Sequence, residues 1–205
     1  FAIIVFPGSN CDNDAYYALK NIGFNVSFVW HKDTNLSGFD GILIPGGFSY
    51  GDYLRTGAIA KFSPIMKSLI AESKKGKIVI GICNGFQILI ESGLLPGALI
   101  TNKNIKFISK TVSLKINSYN SVFTKNISKD RSDINMPIAH KQGNYIVNKN
   151  TLEELEQNDQ IIFKYKDNPN GSISDIAGIT NKNKNILGMM PHPERASDGL
   201  LGSND

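Results

Sequence analysis

The stretch that most constrains this chain is Lys77–Gln87, KIVIGICNGFQ. An apolar run, Ile78-Val79-Ile80, enters Gly81-Ile82-Cys83-Asn84-Gly85, and a helical pattern follows through Ser92 to a stop at Gly93. A buried strand, a G-x-C-x-G turn and a helix form a nucleophile elbow, with cysteine in place of the commoner serine. A side chain on so tight a turn needs small residues two positions to either side, and Gly81 and Gly85 supply them. The turn also points the positive end of the following helix at the sulfur. An ordinary buried cysteine at a strand end satisfies the same five residues equally well, so the rest of the chain has to decide.

The elbow sits in an alternating pattern. Ala2–Phe6, Val26–Trp30, Gly41–Ile44 and Lys77–Ile82 read as strands, with helices expected over Ala15–Ile22 and Ala58–Lys75. Strands alternating with helices imply βαβ units in a mostly parallel sheet, with ligands bound outside the carboxyl ends of the strands. The second half reads differently. Strand-like runs at 105–117, Met136–His140, Ile161–Tyr165, Ile176–Thr180 and Ile186–Met190, with a short helix at Thr151–Gln157, predict an antiparallel β patch added to the core. The expectation is an α/β fold in a single domain, 1–205, flavodoxin-like in its parallel part.

Composition excludes several classes. At 205 residues with 41% hydrophobic content, the chain can bury a sizeable core. No apolar run approaches the roughly 20 residues of a membrane span, and the start lacks the basic flank of a signal peptide. The net charge of +4 comes from lysines scattered among asparagines, as in NKNKN (181–185), not from a basic aromatic stripe. Neither nucleic acid nor membrane is expected as a partner. Cys11 and Cys83 have no metal-type spacing and suit a reducing, cytoplasmic compartment; no metal or cofactor is expected in this chain.

A thiol that attacks an acyl carbon needs a base, an orienter and oxyanion donors. Of the histidines 31, 140 and 192, His192 is the best base, in Pro191-His192-Pro193-Glu194 just beyond a strand. The prolines should hold this segment extended, so that His192 and Glu194 point the same way. The backbone N–H of Asn84 and one in Gly46-Gly47-Phe48, expected at Gly47, are the candidate oxyanion donors; each is typically worth about 2.7–4 kcal/mol in the transition state. Gln87, one helical turn after Cys83, is expected to line the substrate pocket with Gly46 and Phe48. His140, after a strand-like run, is a candidate substrate contact, and His31 reads as structural. Cys11 lacks flanking glycines and adjoins Asp12, which counts against it as the nucleophile.

PGG (45–47), GICNGFQ (81–87) and PHPE (191–194), in that order, resemble class I glutamine amidotransferases. FPGSNCD (6–12), GGFSYGDYLR (46–55), GAIA (57–60), NPNGS (168–172) and MMPHPERA (189–196) are similar, within that class, to the glutaminase subunits of phosphoribosylformylglycinamidine synthase. The resemblance covers nearly the whole chain. It implies a Cys83–His192–Glu194 triad that hydrolyses glutamine through a γ-glutamyl thioester. It also implies a large synthetase subunit that uses ATP and Mg²⁺, and a small dimeric third subunit. The family's usual A-H-G-E-G-R stands here as Ala139-His140-Lys141-Gln142-Gly143-Asn144, and the family usually continues with a C-terminal helix after the segment that corresponds to residues 189–205. The alternatives are a different thiol hydrolase on the same core, such as a γ-glutamyl hydrolase or peptidase, and a non-catalytic binding subunit. In one such branch a histidine directly follows the cysteine, where this chain has Asn84.

Overall fold

The structure is a computed structural model describing residues 1–130 and 133–201. The parallel half is built from β1 (Ala2–Val5), α1 (Asp12–Asn21), β2 (Ser27–Trp30), β3 (Gly41–Ile44), α2 (Pro64–Lys74), β4 (Ile78–Ile82) and α3 (Asn84–Glu91). The second half supplies β5 (Ala98–Ile100), β6 (Ile108–Ile116), β7 (Asp133–His140), β8 (Asn144–Ile146), α4 (Lys149–Gln157), β9 (Ile161–Tyr165), β10 (Ile176–Thr180) and β11 (Ile186–Met189).

Among the described residues, nine strands form one sheet in the order β2-β1-β3-β4-β11-β10-β9-β6-β7. The first five run parallel and the rest antiparallel. The expected antiparallel patch is therefore a continuation of the main sheet. A two-stranded sheet, β5 with β8, lies apart from it; its three-residue strands carry too little alternation to register in the sequence. Strands flanked on both faces read as unbroken apolar runs, and β3 is buried at all four positions. Among the described residues no helix is long and apolar enough to cross a membrane.

The topology decides where chemistry can occur. From β1 the chain steps to β2 on one side and then to β3 on the other, so the strand order reverses there. Such a reversal opens a crevice at the carboxyl ends of the strands. Four loops empty into it: 6–11 after β1, 45–48 after β3, Cys83 after β4, and 190–195 after β11.

The helix expected over Ala58–Lys75 is shorter. Ala60–Phe62 is a 3₁₀ turn, Ser63 is extended at ψ 142°, and Pro64 starts α2. Proline has no N–H to donate and clashes with the preceding turn, so it opens a helix and does not continue one. Helix α1 in turn begins three residues earlier than expected, with Asp12 and Asp14 in its first turn, where acidic side chains offset the helix dipole.

Candidate active site

Cys83 joins β4 to α3 with φ 50° and ψ −104°, a backbone conformation that L-residues avoid. Its N–H donates to the Met189 carbonyl at 2.8 Å, which ties the elbow to the neighbouring strand β11. The two glycines are required by contact. A Cβ on Gly85 would lie 2.1 Å from the Ile44 carbonyl oxygen, and one on Gly81 would lie 2.7 Å from the Gly85 backbone. Helix α3 thus presses directly on the sheet, and its N-terminus meets the sulfur.

His192 and Glu194 are both buried, with Nδ1 2.6 Å from Oε1. The route to this contact differs from the extended segment expected from the two prolines. Pro193–Arg195 form a 3₁₀ turn, and the turn, not strand alternation, brings the carboxylate behind the ring. The His192 N–H donates to the Pro137 carbonyl at 2.9 Å, which fixes the turn to β7. Burial opposes charge on the ring, but the Glu194 carboxylate and the sulfurs of Cys83 and Cys11 outweigh it and hold the His192 pKa well above the ordinary 6.5.

Cys83 and His192 line one cleft of about 190 Å³ together with Gly47, Phe48, Ala139 and Phe107. Gly47 has φ 137°, and a Cβ there would lie 2.7 Å from the Asn10 nitrogen, so only glycine fits. Gly46 lies behind the imidazole, where a Cβ would be 2.7 Å from His192 Cε1. The Asn84 side chain does not enter the cleft lining. Its Oδ1 accepts the Ser49 N–H, and its Nδ2 donates to Gln87 Oε1. Gln87 is also outside the cleft lining; its Nε2 donates to the Gln142 carbonyl at 2.7 Å. The side chain expected to face substrate instead clamps the 141–143 loop to α3.

That loop positions His140. Asn102 Nδ2 donates to the carbonyls of Lys106 and His140, so its Oδ1 is the acceptor that faces Gly143 N–H and His140 Nδ1. Nδ1 therefore carries the proton, and the buried Nε2 is a bare acceptor without a partner among the described residues. Burial first, and the charge of His192 second, push the His140 pKa down to about 4. The 168–172 turn supports the same loop, with Asn170 Nδ2 and Ser172 Oγ both donating to the Gly143 carbonyl. His31 is also buried, with Nδ1 2.8 Å from the Tyr50 hydroxyl and 3.3 Å from that of Ser63.

Cys11 is the residue that sequence reasoning set aside and the fold brings in. It caps α1, lines the same cleft, and stands beside the His192 ring. Arg195 Nη2 donates to Cys11 Sγ at 3.2 Å and Arg195 Nε to Asp14 at 2.9 Å; the Cys11 thiol donates to Asn10 Oδ1 at 3.1 Å. A signal existed: Cys11 follows β1, one of the two strands that flank the reversal of strand order.

The mixed sheet carries a strained cysteine at the end of one parallel strand and a buried His–Glu pair at the end of the next, the kinds of group that thiol-dependent acyl transfer requires. Known proteins make it specific. Residues 1–204 match the model of the CobB/CobQ-like glutamine amidotransferase domain. The chain is 43% identical to a chain in the structure of PurLQS from Thermotoga maritima, covering 99% of this chain and 91% of that one with a TM-score of 0.91. A putative GMP synthase component from Thermoplasma acidophilum (15% identity, 94% and 83% covered, TM-score 0.60) shares the fold. So does the glutaminase domain of Trypanosoma brucei CTPS (14% identity, 99% and 89% covered, TM-score 0.61). The chain belongs to the CobB/CobQ-like glutamine amidotransferase family and is an enzyme of that type.

Proposed function

We propose that this chain is the glutaminase of a phosphoribosylformylglycinamidine synthase, and that Cys83 is its nucleophile. The observation that carries the assignment is the Cys83 backbone at φ 50°, ψ −104°, held against β11 in the cleft that His192 lines. Strain of this kind costs on the order of 1–3 kcal/mol and persists where the surroundings enforce it. Cys11 carries no such strain at φ −100°, ψ 14°, and its sulfur is engaged by Asn10 and Arg195.

The Cys83 thiol passes its proton to His192 Nε2 as the sulfur attacks the carboxamide carbon of glutamine, and the carbonyl oxygen takes the negative charge. The N–H groups of Asn84 and Gly47 hold that oxyanion. Glu194 keeps the His192 Nδ1 proton in place, so Nε2 does the proton transfer. With its pKa raised, His192 holds that proton as the imidazolium and then gives it from Nε2 to the departing nitrogen. The C–N bond breaks and ammonia leaves. Neutral His192 then takes a proton from water, the hydroxide adds to the thioester, the C–S bond breaks and glutamate is released. Phe48, which lines the cleft, is the proposed substrate contact, with Gly46 and His140 just outside the lining and Gln87 holding the 141–143 loop.

Ammonia passes to a synthetase subunit that uses ATP and Mg²⁺ to make formylglycinamidine ribonucleotide, with a small dimeric third subunit in the complex. The relative in PurLQS supports this assignment of partners. In the assembled complex, Cys83→Ala should remove glutamine-dependent synthesis and leave ammonia-dependent synthesis intact. Loss of both activities, or of neither, contradicts the proposal.

A further inference from the structure

The two oxyanion donors of the proposed reaction stand on different elements. Gly47 belongs to the loop after β3, and Asn84 opens α3, where a backbone N–H has no acceptor within its own helix. On one side that loop is held by main-chain bonds. The Asn10 and Cys11 N–H groups donate to the Gly46 carbonyl at 3.4 and 3.3 Å, and the Phe48 N–H donates to the Gly8 carbonyl at 2.9 Å. On the other side it meets the helix through the Asn84 side chain. Asn84 Oδ1 accepts the Ser49 N–H at 3.1 Å, two residues beyond Gly47. Asn84 Nδ2 donates at 3.0 Å to Gln87 Oε1, three residues along the same helix face. Gln87 Nε2 then donates to the Gln142 carbonyl at 2.7 Å.

Both ends of this relay are main chain, a donor at Ser49 and an acceptor at Gln142. Neither amide can turn over without setting oxygen against oxygen or N–H against N–H, so the order of the atoms is fixed. Asn84 is 2% exposed and Gln87 5%, so water does not compete for these bonds and an unmade one is costly. We propose that Asn84 is a positioning residue: its buried carboxamide sets the distance between the Gly47 and Asn84 N–H groups, and with it the fit of the oxyanion hole to the tetrahedral intermediate. This inference rests on the proposed function. Such donors act only if they already stand about 3 Å from where the charge develops. A loop that drifts leaves glutamine bound and the transition state unsupported. The Asn84 side chain lies outside the cleft lining and acts through the two backbone groups.

The test compares Asn84→Ala and Asn84→Leu with the parent in the assembled complex. Both variants keep the backbone N–H and lose the bridge. Leucine also refills the volume, which separates the lost bond from the effect of a cavity. Glutamine hydrolysis should fall about 10–100-fold in kcat with KM nearly unchanged. Methyl methanethiosulfonate supplies the control, because the thiolate forms a disulfide and displaces sulfinate, and no charge develops on a carbonyl oxygen. Its rate of reaction at Cys83, followed by peptide mapping, should match the parent's in both variants. An unchanged kcat overturns the inference. So does a rise in KM, or a fall in the Cys83 labelling rate, as large as the fall in kcat. Glutamine hydrolysis that survives Cys83→Ala in the parent complex contradicts the proposed function, and the inference with it.

Discussion

Glu194 Oε1 accepts from His192 Nδ1, and its Oε2 is buried with no partner among the described residues. Its amide replacement would present an N–H to Nδ1 and favour the wrong tautomer. Glu194→Gln should lower kcat by about 10²–10⁴-fold with a smaller change in KM, measured as glutamine hydrolysis in the complex. His140 makes a prediction about stability. Its pKa, near 6.5 in the unfolded chain, falls to about 4 on folding because the ring is buried and faces the charge of His192. As pH falls below 6.5 the unfolded chain takes up a proton that the folded protein refuses, so stability is lost between about pH 6.5 and pH 4. The loss should reach roughly 2–3 kcal/mol, and His140→Gln should flatten that part of a pH series of denaturant unfolding curves. At this scale the sequence made Cys83, His192 and Glu194 legible, because proline, glycine and spacing mark them locally. Cys11 was not, because its place depends on which strands become neighbours.

At the scale of elements, the elbow depends on how closely α3 approaches β3. Gly85→Ala would place a methyl 2.1 Å from the Ile44 oxygen, which belongs to a central strand and cannot retreat. We expect it to cost roughly 2–4 kcal/mol by chemical denaturation. Gly38→Ala, with nothing within 4 Å of the added atom, should stay within about 0.5 kcal/mol. Apolar runs between Gly and Pro marked strands such as Gly41–Ile44 well. Sequence pattern and structure differ where local rules compete. Periodic apolar residues argued for one long helix over Ala58–Lys75, and Pro64 overrode them. Two prolines argued for an extended 191–194, and the second instead opened a 3₁₀ turn. NPNGS (168–172) was recognisable as a motif, while its work, holding the Gly143 carbonyl, emerged only from the fold.

For the molecule as a whole, the crevice is shaped by the order of the strands, and its rim is partly apolar. Phe48 and Phe107 line the cleft and are exposed, and Tyr53 and Leu54 stand out at 71% and 77% exposure beyond it. Tyr50, Asp52 and Leu54 all have positive φ, so the 50–55 segment is held in a shape its own residues do not favour. If the synthetase covers this rim, Leu54→Asp should weaken co-elution of the complex by about tenfold while the thermal unfolding of the isolated chain stays near that of the parent. The central claim concerns which of two sulfurs beside one histidine does the chemistry. A glutamine-analogue electrophile, followed by peptide mapping of the modified protein, answers it directly. Stoichiometric modification of Cys83 with Cys11 untouched is the predicted result, and modification of Cys11, or of neither cysteine, would contradict it.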